Sequence, residues 1–212
     1  ISPLKEEIIK DADFVVFREL TGGIYFGQPR GRSEDGNSAF DSCIYSKEEI
    51  LRVSKLAFEA AKNRNKRVTL VDKANVLATS RLWRETVQEL AADYPDISLD
   101  FMFVDNAAMK IIQNPGYFDV VLTENMFGDI ITDEASVISG SLGMLPSASI
   151  GKNQNLYEPI HGSYPQAAGK NIANPFGAIL SAAMKVEYSL GLDEERRYIQ
   201  KAVTKALDEG LV

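Results

Sequence analysis

The chain has 212 residues, 45% hydrophobic and 25% charged, an ordinary globular balance with length enough for one large or two small domains. Its formal net charge of −7 argues against nucleic acid or an anionic membrane as partner, yet leaves room for a local basic pocket that holds an anionic substrate. Cys43 is the single cysteine and His161 the single histidine, so an intramolecular disulfide is excluded, a Cys/His nucleophile or multi-histidine zinc centre is disfavoured, and a reducing, cytoplasmic setting is expected.

Taken in chain order, Ser2, Pro3, Glu6 and Glu7 read as a capped helix start, closed by residues 11–13. The apolar run Phe14-Val15-Val16-Phe17 predicts a buried strand that delivers Arg18 at its carboxyl end, where open α/β sheets place ligand groups. Gly22-Gly23 reads either as a plain bend or as a phosphate-cradling turn. Residues 24–45, rich in glycine and aromatics with a polar tip, predict a long two-stranded arm. Such an arm is barely stable alone and calls for a partner, a second copy of the chain being one candidate.

Ser46-Lys47-Glu48-Glu49 is a capping-box signal for an amphipathic helix reaching Ala61. Residues 67–72 predict the next strand, ending at Lys73, which is either a solvated cap or a site residue. A helix follows over 80–93, with Trp83 on its inner face as core rather than ligand platform. A strand over 97–104 ends at Asp105, a helix covers 107–112, and a further strand starts at Phe118.

Gly128 is expected to open a helix with Asp129 in its first turn and Asp133 four residues on. That spacing puts both carboxylates on one face, where a divalent cation would relieve their repulsion; a solvated acidic turn is the competing reading. Four successive strand ends thus carry Arg18, Lys73, Asp105 and the segment 125–133. Solvated caps would not be expected to collect so regularly, and this favours a shared site for an anionic substrate and a metal.

Past Gly140 the chain reads as a small-residue stretch over 141–151, a surface turn over 152–155, and a loop over 157–175 of glycines, amides and hydroxyls able to bring N–H groups to a nucleotide. It is not G-x-G-x-x-G, so no true Rossmann motif is present. A buried helix over 176–188 and an amphipathic one over 193–206 close the chain. No apolar run approaches the roughly 18 residues of a membrane span, and no signal-peptide pattern is visible.

Four segments in register, residues 18–27, 71–76, 125–130 and 158–163, closely resemble the 3-isopropylmalate dehydrogenases, a branch of the isocitrate/isopropylmalate family of β-decarboxylating dehydrogenases. The resemblance covers essentially the whole chain. It implies an α/β fold of two domains with a protruding β-hairpin arm for dimerisation: residues 1–140 for substrate, metal and dimer contacts, with the arm at about 24–45, and residues 141–212 as part of the cofactor domain.

The implied reaction is oxidative decarboxylation of 3-isopropylmalate in leucine biosynthesis, with NAD and Mg²⁺ or Mn²⁺. The resemblance assigns Asp105, Asp129 and Asp133 to the metal, Arg18 and Asp105 to substrate, Lys73 as the base at the substrate hydroxyl, and Tyr25 as the acid that reprotonates the enol carbon. Glu158, His161, Gly162, Ser163, Tyr164, Gln166 and Asn174 match the cofactor segment. The family's Lys73 and Asp105 counterparts reach across a homodimer, so active sites are expected to be shared.

Two departures matter. Gln166 stands where many family members carry an Asp that grips the adenosine ribose; Gln can still hydrogen-bond there, and with no basic cluster for a 2′-phosphate NAD remains the expectation. The family's N-terminal segment, which reads the isopropyl group, and a final stretch are missing, so the chain is expected to be processed, cut or partial. Sister enzymes acting on isocitrate, tartrate or homoisocitrate, a non-catalytic dimerising or metal-binding fragment, and, from the carboxylates alone, a metal-dependent hydrolase are the alternatives.

Overall fold

The computed structural model describes residues 2–211. The chain divides into two compact units, one spanning Leu4–Ala135 and one holding the remainder from Ser136 onward together with the N-terminal tip.

The first unit is built on a four-stranded parallel sheet of β1 (Val15–Arg18), β4 (Arg67–Asp72), β5 (Ser98–Phe103) and β6 (Val120–Thr123), in spatial order β1-β6-β4-β5. Register pairs Arg18 with Thr123, Val71 with Thr123, and Asp72 with Phe103. All four strands run one way, so their carboxyl ends share one edge, and the residues that follow them line it. The central strands β4 and β6 are buried almost throughout, as expected where helices cover both faces, while β1 and β5 at the margins are only half-buried.

The crossover helices α2 (Lys47–Lys62) and α3 (Ala78–Ala91) pack on each other and supply Ile50, Ala57, Phe58, Trp83 and Val87 to a core completed by Val68, Leu70, Val120 and Leu122. Each fully buried large side chain stabilises the unit by roughly 1.5–3 kcal/mol. Trp83 is core, as read from the sequence, and meets the Tyr45 ring edge-on at 5.4 Å. The Ser46 capping box forms: Glu49 N–H donates to Ser46 Oγ at 3.3 Å, and Ser46 N–H donates to the Glu49 carboxylate at 2.7 Å.

Between β1 and α2 lies the arm. It begins with a 3₁₀ turn (Gly23–Tyr25) and has a single antiparallel ladder of β2 (Gly31–Arg32) and β3 (Ala39–Phe40), both exposed. The ladder is two residues per strand, much shorter than the long hairpin expected. Phe26, Phe40 and Ile44 stand exposed on it.

Helix α4 (Val104–Gln113) starts directly at the end of β5, three residues earlier than expected, which sets Asp105 in its first turn. Helix α5 (Asn125–Ser139) likewise starts at Asn125, not Gly128; Asp129 is therefore in its second turn and outside the reach of the N-terminal dipole. At the chain's start, α1 (Glu6–Ile9) is one turn with Lys5 at its cap. Ser2 does not cap it; its hydroxyl donates to Val137 O at 3.4 Å.

In the second unit, β7 (Pro146–Ile150) and β8 (Asn155–Pro159) form an antiparallel hairpin that the small-residue texture concealed. Pro146 pairs with Pro159 at its open end, where no ladder donor is needed. Helix α6 (Phe176–Tyr188) packs on this hairpin and on α7 (Asp193–Asp208). Its close approach depends on Gly177, whose Cβ would sit 3.0 Å from Gly143 O. Contrary to expectation α6 is not buried all round: Ile179 and Tyr188 are exposed. Among the described residues no helix is long and apolar enough to cross a membrane.

Candidate active site

The carboxyl edge of the parallel sheet carries two groups of polar side chains. At the β1–β6 half, Arg18 ends β1 and lies across α5. Its Nε and Nη2 donate to Asn125 Oδ1 at 3.1 and 2.8 Å, and its Nη1 reaches Asp129 Oδ1 at 2.5 Å. Gly128 permits this: a Cβ there would lie 2.6 Å from Arg18 Cγ, so its role is clearance inside the helix rather than opening it.

The Tyr25 hydroxyl donates to the other carboxylate oxygen of Asp129 at 2.7 Å. That hydrogen bond to an anion, reinforced by partial burial and the Asp129 charge, raises the phenol above its ordinary pKa, so it keeps its proton at neutral pH. Asp133, one turn further along α5, is exposed.

Beneath this cluster is a buried layer that sequence reasoning passed over. The Tyr45 hydroxyl donates to Glu124 Oε2 at 2.9 Å and accepts from the Asn125 N–H at 3.0 Å; the Asn125 side-chain amide donates to Gly22 O at 3.2 Å. Burial raises the Glu124 carboxyl above its usual range, against the opposing pull of the Phe127 N–H and the Tyr45 hydroxyl. Nearby, buried Glu19 accepts from the Thr21 hydroxyl and from the Thr21 and Gly22 N–H groups, and from Arg52 at 2.8 Å. Burial pushes its pKa upward, but those donors outweigh it and leave the carboxyl below its ordinary value.

These contacts decide the reading of Gly22-Gly23. The Gly22 N–H is taken by Glu19 and the Gly23 N–H by Ile44 O at 3.1 Å, so neither is available to a phosphate. The Tyr45 phenol packs under both glycines, and a Cβ on Gly23, which has φ +74°, would lie 2.2 Å from its oxygen. The pair is a bend shaped around Tyr45.

At the β4–β5 half, Lys73 Nζ pairs with Asp105 at 2.9 Å. The hydrogen bond from Lys73 holds the Asp105 carboxyl below its ordinary value. The turn presenting Lys73 is pinned by its backbone: Lys73 N–H donates to Ser80 Oγ at 3.1 Å and Ala74 N–H to Asp72 Oδ1 at 2.9 Å. Buried Asp72 is gripped by Arg84 through Nε at 2.5 Å and Nη2 at 3.0 Å, and the Arg84 guanidinium stacks 5.0 Å from the Phe101 and Phe103 rings.

Within one chain, then, Asp129 and Asp133 share α5 whereas Asp105 belongs to the Lys73 pair. Among the described residues no three His, Cys, Asp or Glu side chains gather as a metal set. All three carboxylates would suit a hard divalent cation, but one chain brings only two of them to one helix face.

In the second unit, Glu158 lies on β8 rather than at the start of a loop. His161, Gly162, Ser163 and Tyr164 form an exposed stretch, with His161 Nδ1 3.0 Å from Gly162 O, and Gln166 sits exposed in a 3₁₀ turn (Pro165–Ala167). Asn174 differs from its neighbours. Its Oδ1 accepts from Phe176 N–H at 2.9 Å and its amide meets Met144 Sδ at 3.4 Å, so the side chain serves the start of α6.

The family model described as isocitrate/isopropylmalate dehydrogenase matches residues 1–212. The chain is 58% identical over 213 residues to the 3-isopropylmalate dehydrogenase of Geobacillus kaustophilus, covering 99% of this chain and 57% of that protein. It is 56% identical over 212 residues to that of Priestia megaterium, covering 99% and 58%. Among solved structures, an isocitrate dehydrogenase from Methylococcus capsulatus superposes with TM-score 0.87 at 37% identity, covering 94% of this chain and 60% of that one. The TT0538 protein of Thermus thermophilus gives TM-score 0.86 at 34% identity, over 94% and 40%. The chain therefore spans less than two thirds of the length of these relatives.

Proposed function

The chain belongs to the isocitrate/isopropylmalate dehydrogenase family, and from that premise we propose that it is the substrate-, metal- and dimer-forming part, with a portion of the cofactor domain, of a 3-isopropylmalate dehydrogenase of leucine biosynthesis. The single observation that carries this reading is the Arg18–Asp129–Tyr25 cluster at the carboxyl edge of a parallel sheet. Identity of 58% and 56% to 3-isopropylmalate dehydrogenases, against 37% to an isocitrate dehydrogenase, favours the branched malate over isocitrate as substrate.

Arg18 binds the substrate carboxylate that leaves as CO₂, a charge-assisted contact of the kind guanidinium makes best. Lys73 takes the proton from the substrate hydroxyl as that carbon gives up its hydride and becomes a ketone. Loss of CO₂ leaves an enolate, whose oxygen takes back the proton held by Lys73 to give the enol. Tyr25 then delivers a proton to the enol carbon while Lys73 accepts the oxygen's proton and the ketone forms, the Tyr25 phenol being reprotonated from solvent. A Mg²⁺ or Mn²⁺ ion held by Asp129, Asp133 and Asp105 would supply Lewis acidity toward the hydroxyl and carboxylate, and NAD the hydride acceptor.

The division of carboxylates within one chain supports a homodimer in which Lys73 and Asp105 of one copy serve Asp129 and Asp133 of the other. The exposed apolar residues Phe26, Phe40 and Ile44 of the arm, with Met109 on α4 and Ile130 on α5, are the surface such a second copy would cover. For NAD we propose the exposed stretch 161–166 with Glu158, Gln166 reaching the ribose hydroxyls. Asn174 contributes there by shaping the start of α6.

The test is NADH formation by the full-length protein from 3-isopropylmalate with Mg²⁺. Turnover that needs both NAD and metal and exceeds that on isocitrate or tartrate is expected. Equal or faster turnover of a sister substrate would overturn the substrate choice, and inactivity on all of them would overturn the dehydrogenase.

A further inference from the structure

We infer that Asn125 is a positioning residue that fixes which edge of Arg18 meets the substrate carboxylate; this rests on the reading of Arg18 given above. An arginine can grip a carboxylate along its side edge, Nε with Nη2, or along its end, Nη1 with Nη2. In this protein the side edge is closed: Nε and Nη2 both converge on Asn125 Oδ1, and Asn125 is 1% exposed. The end edge carries Nη1, which meets Asp129 Oδ1 at 2.5 Å, so a substrate carboxylate would reach Arg18 along that edge by taking the place of Asp129.

An asparagine suits this position in a way an aspartate would not. Its oxygen accepts both donors yet carries no charge, so the guanidinium is held in plane without a second anion being added to the Asp129 carboxylate already at Nη1. The amide cannot turn over to present its NH₂ instead, because Nδ2 is engaged with Gly22 O at 3.2 Å. Its backbone is held too, through the N–H bond to Tyr45, whose hydroxyl is anchored in turn on Glu124. One buried side chain thereby ties together the end of β1, the Gly22-Gly23 bend that leads into Tyr25, and the first residue of α5.

The experiment combines side-chain NMR with kinetics on the full-length protein. In the wild type the Arg18 Nε–H should give a resolved, slowly exchanging ¹⁵N–¹H resonance, assigned by its disappearance in Arg18→Lys. Asn125→Ala should collapse it into the averaged arginine envelope. Asn125→Asp, which keeps the acceptor and the shape, should retain it, and that separates removal of the acceptor from general unfolding.

In turnover, Asn125→Ala should raise the KM for 3-isopropylmalate by about tenfold to hundredfold, the loss expected for a hydrogen bond to a charged group, with the KM for NAD little changed. On the Arg18→Lys background the same substitution should have almost no further effect on kcat/KM, because its action passes through the guanidinium. An unchanged Arg18 resonance in Asn125→Ala, or additive losses in the double-mutant cycle, would overturn the inference. Wild-type inactivity would instead refute the dehydrogenase reading, and the resonance alone would then decide whether Asn125 orders Arg18.

Discussion

The two halves of the sheet edge solve the same problem differently. Each presents a cation beside a carboxylate at a strand end: Arg18 with Asp129, and Lys73 with Asp105. Arg18 is held by its own side chain, against a layer of buried polar groups, Asn125, Tyr45 and Glu124. Lys73 is held through its backbone, by Ser80 and the Asp72–Arg84 pair, while its side chain extends to an Asp105 whose side chain is 65% exposed. On the proposed dimer this difference has a simple sense: Arg18, fixed at its head, would work within its own chain, whereas Lys73, fixed at its root, would reach toward a second copy.

The largest loss is expected from Lys73→Met. It should lower kcat by about 10²- to 10⁴-fold, the range for loss of a positioned base, with the fold and the KM for NAD retained. Normal turnover would remove Lys73 from the chemistry and leave the β4–β5 half with Asp105 alone.

The next effect tests the root rather than the head. Asp72→Ala leaves Arg84 without its buried partner and the Ala74 N–H without its acceptor, and should destabilise the protein by about 3 kcal/mol in urea unfolding. Turnover should fall less than in Lys73→Met, because the lysine survives on a looser turn.

The smallest expected effect concerns the other half's supporting carboxylate. The pKa of Glu19 is lowered in the folded state, so the unfolded chain binds its proton more readily. Its contribution to stability is fully present above its ordinary value of about 4.3 and is lost as the pH falls through the lower, folded value. Glu19→Gln should therefore be less stable at pH 7 but lose less on acidification than the wild type, by about 1 kcal/mol over that window. An identical acid limb in both proteins would show that Glu19 does not hold the bend that leads to Tyr25.

Much of this arrangement was legible in the chain because its local signals agree with one another. The run 67–72 is β4 residue for residue, and Ser46 with Glu49 marks a helix start that forms as read. Parallel strands with helical crossovers put Arg18, Lys73, Asp105 and Asn125 on one edge without further information. What stayed hidden had no periodic signature. The β7–β8 hairpin is written in Pro, Ser and Ala, whose pairing is decided by the α6 helix packed on it.

The expected starts of α4 and α5 lie too far along because both helices begin almost at once on leaving their strands, α4 directly after Phe103 and α5 after the single residue Glu124. Asn125 itself reads as one more polar residue after a strand. The available signal was Gly128, a glycine inside a helix three residues on, which marks the close approach of another side chain.

If, as proposed, Arg18 and Asp129 of one copy work with Lys73 and Asp105 of another, subunit exchange between two inactive full-length variants, Lys73→Met and Asp129→Asn, should restore activity. In a mixed dimer one site would combine the intact Asp129 of the first variant with the intact Lys73 of the second. Mixing should then restore NADH formation to about a quarter of the wild-type rate, the share set by two-fold symmetry and random exchange. Mixed dimers verified by mass that show no recovery would contradict the account and return both halves of the edge to a single chain.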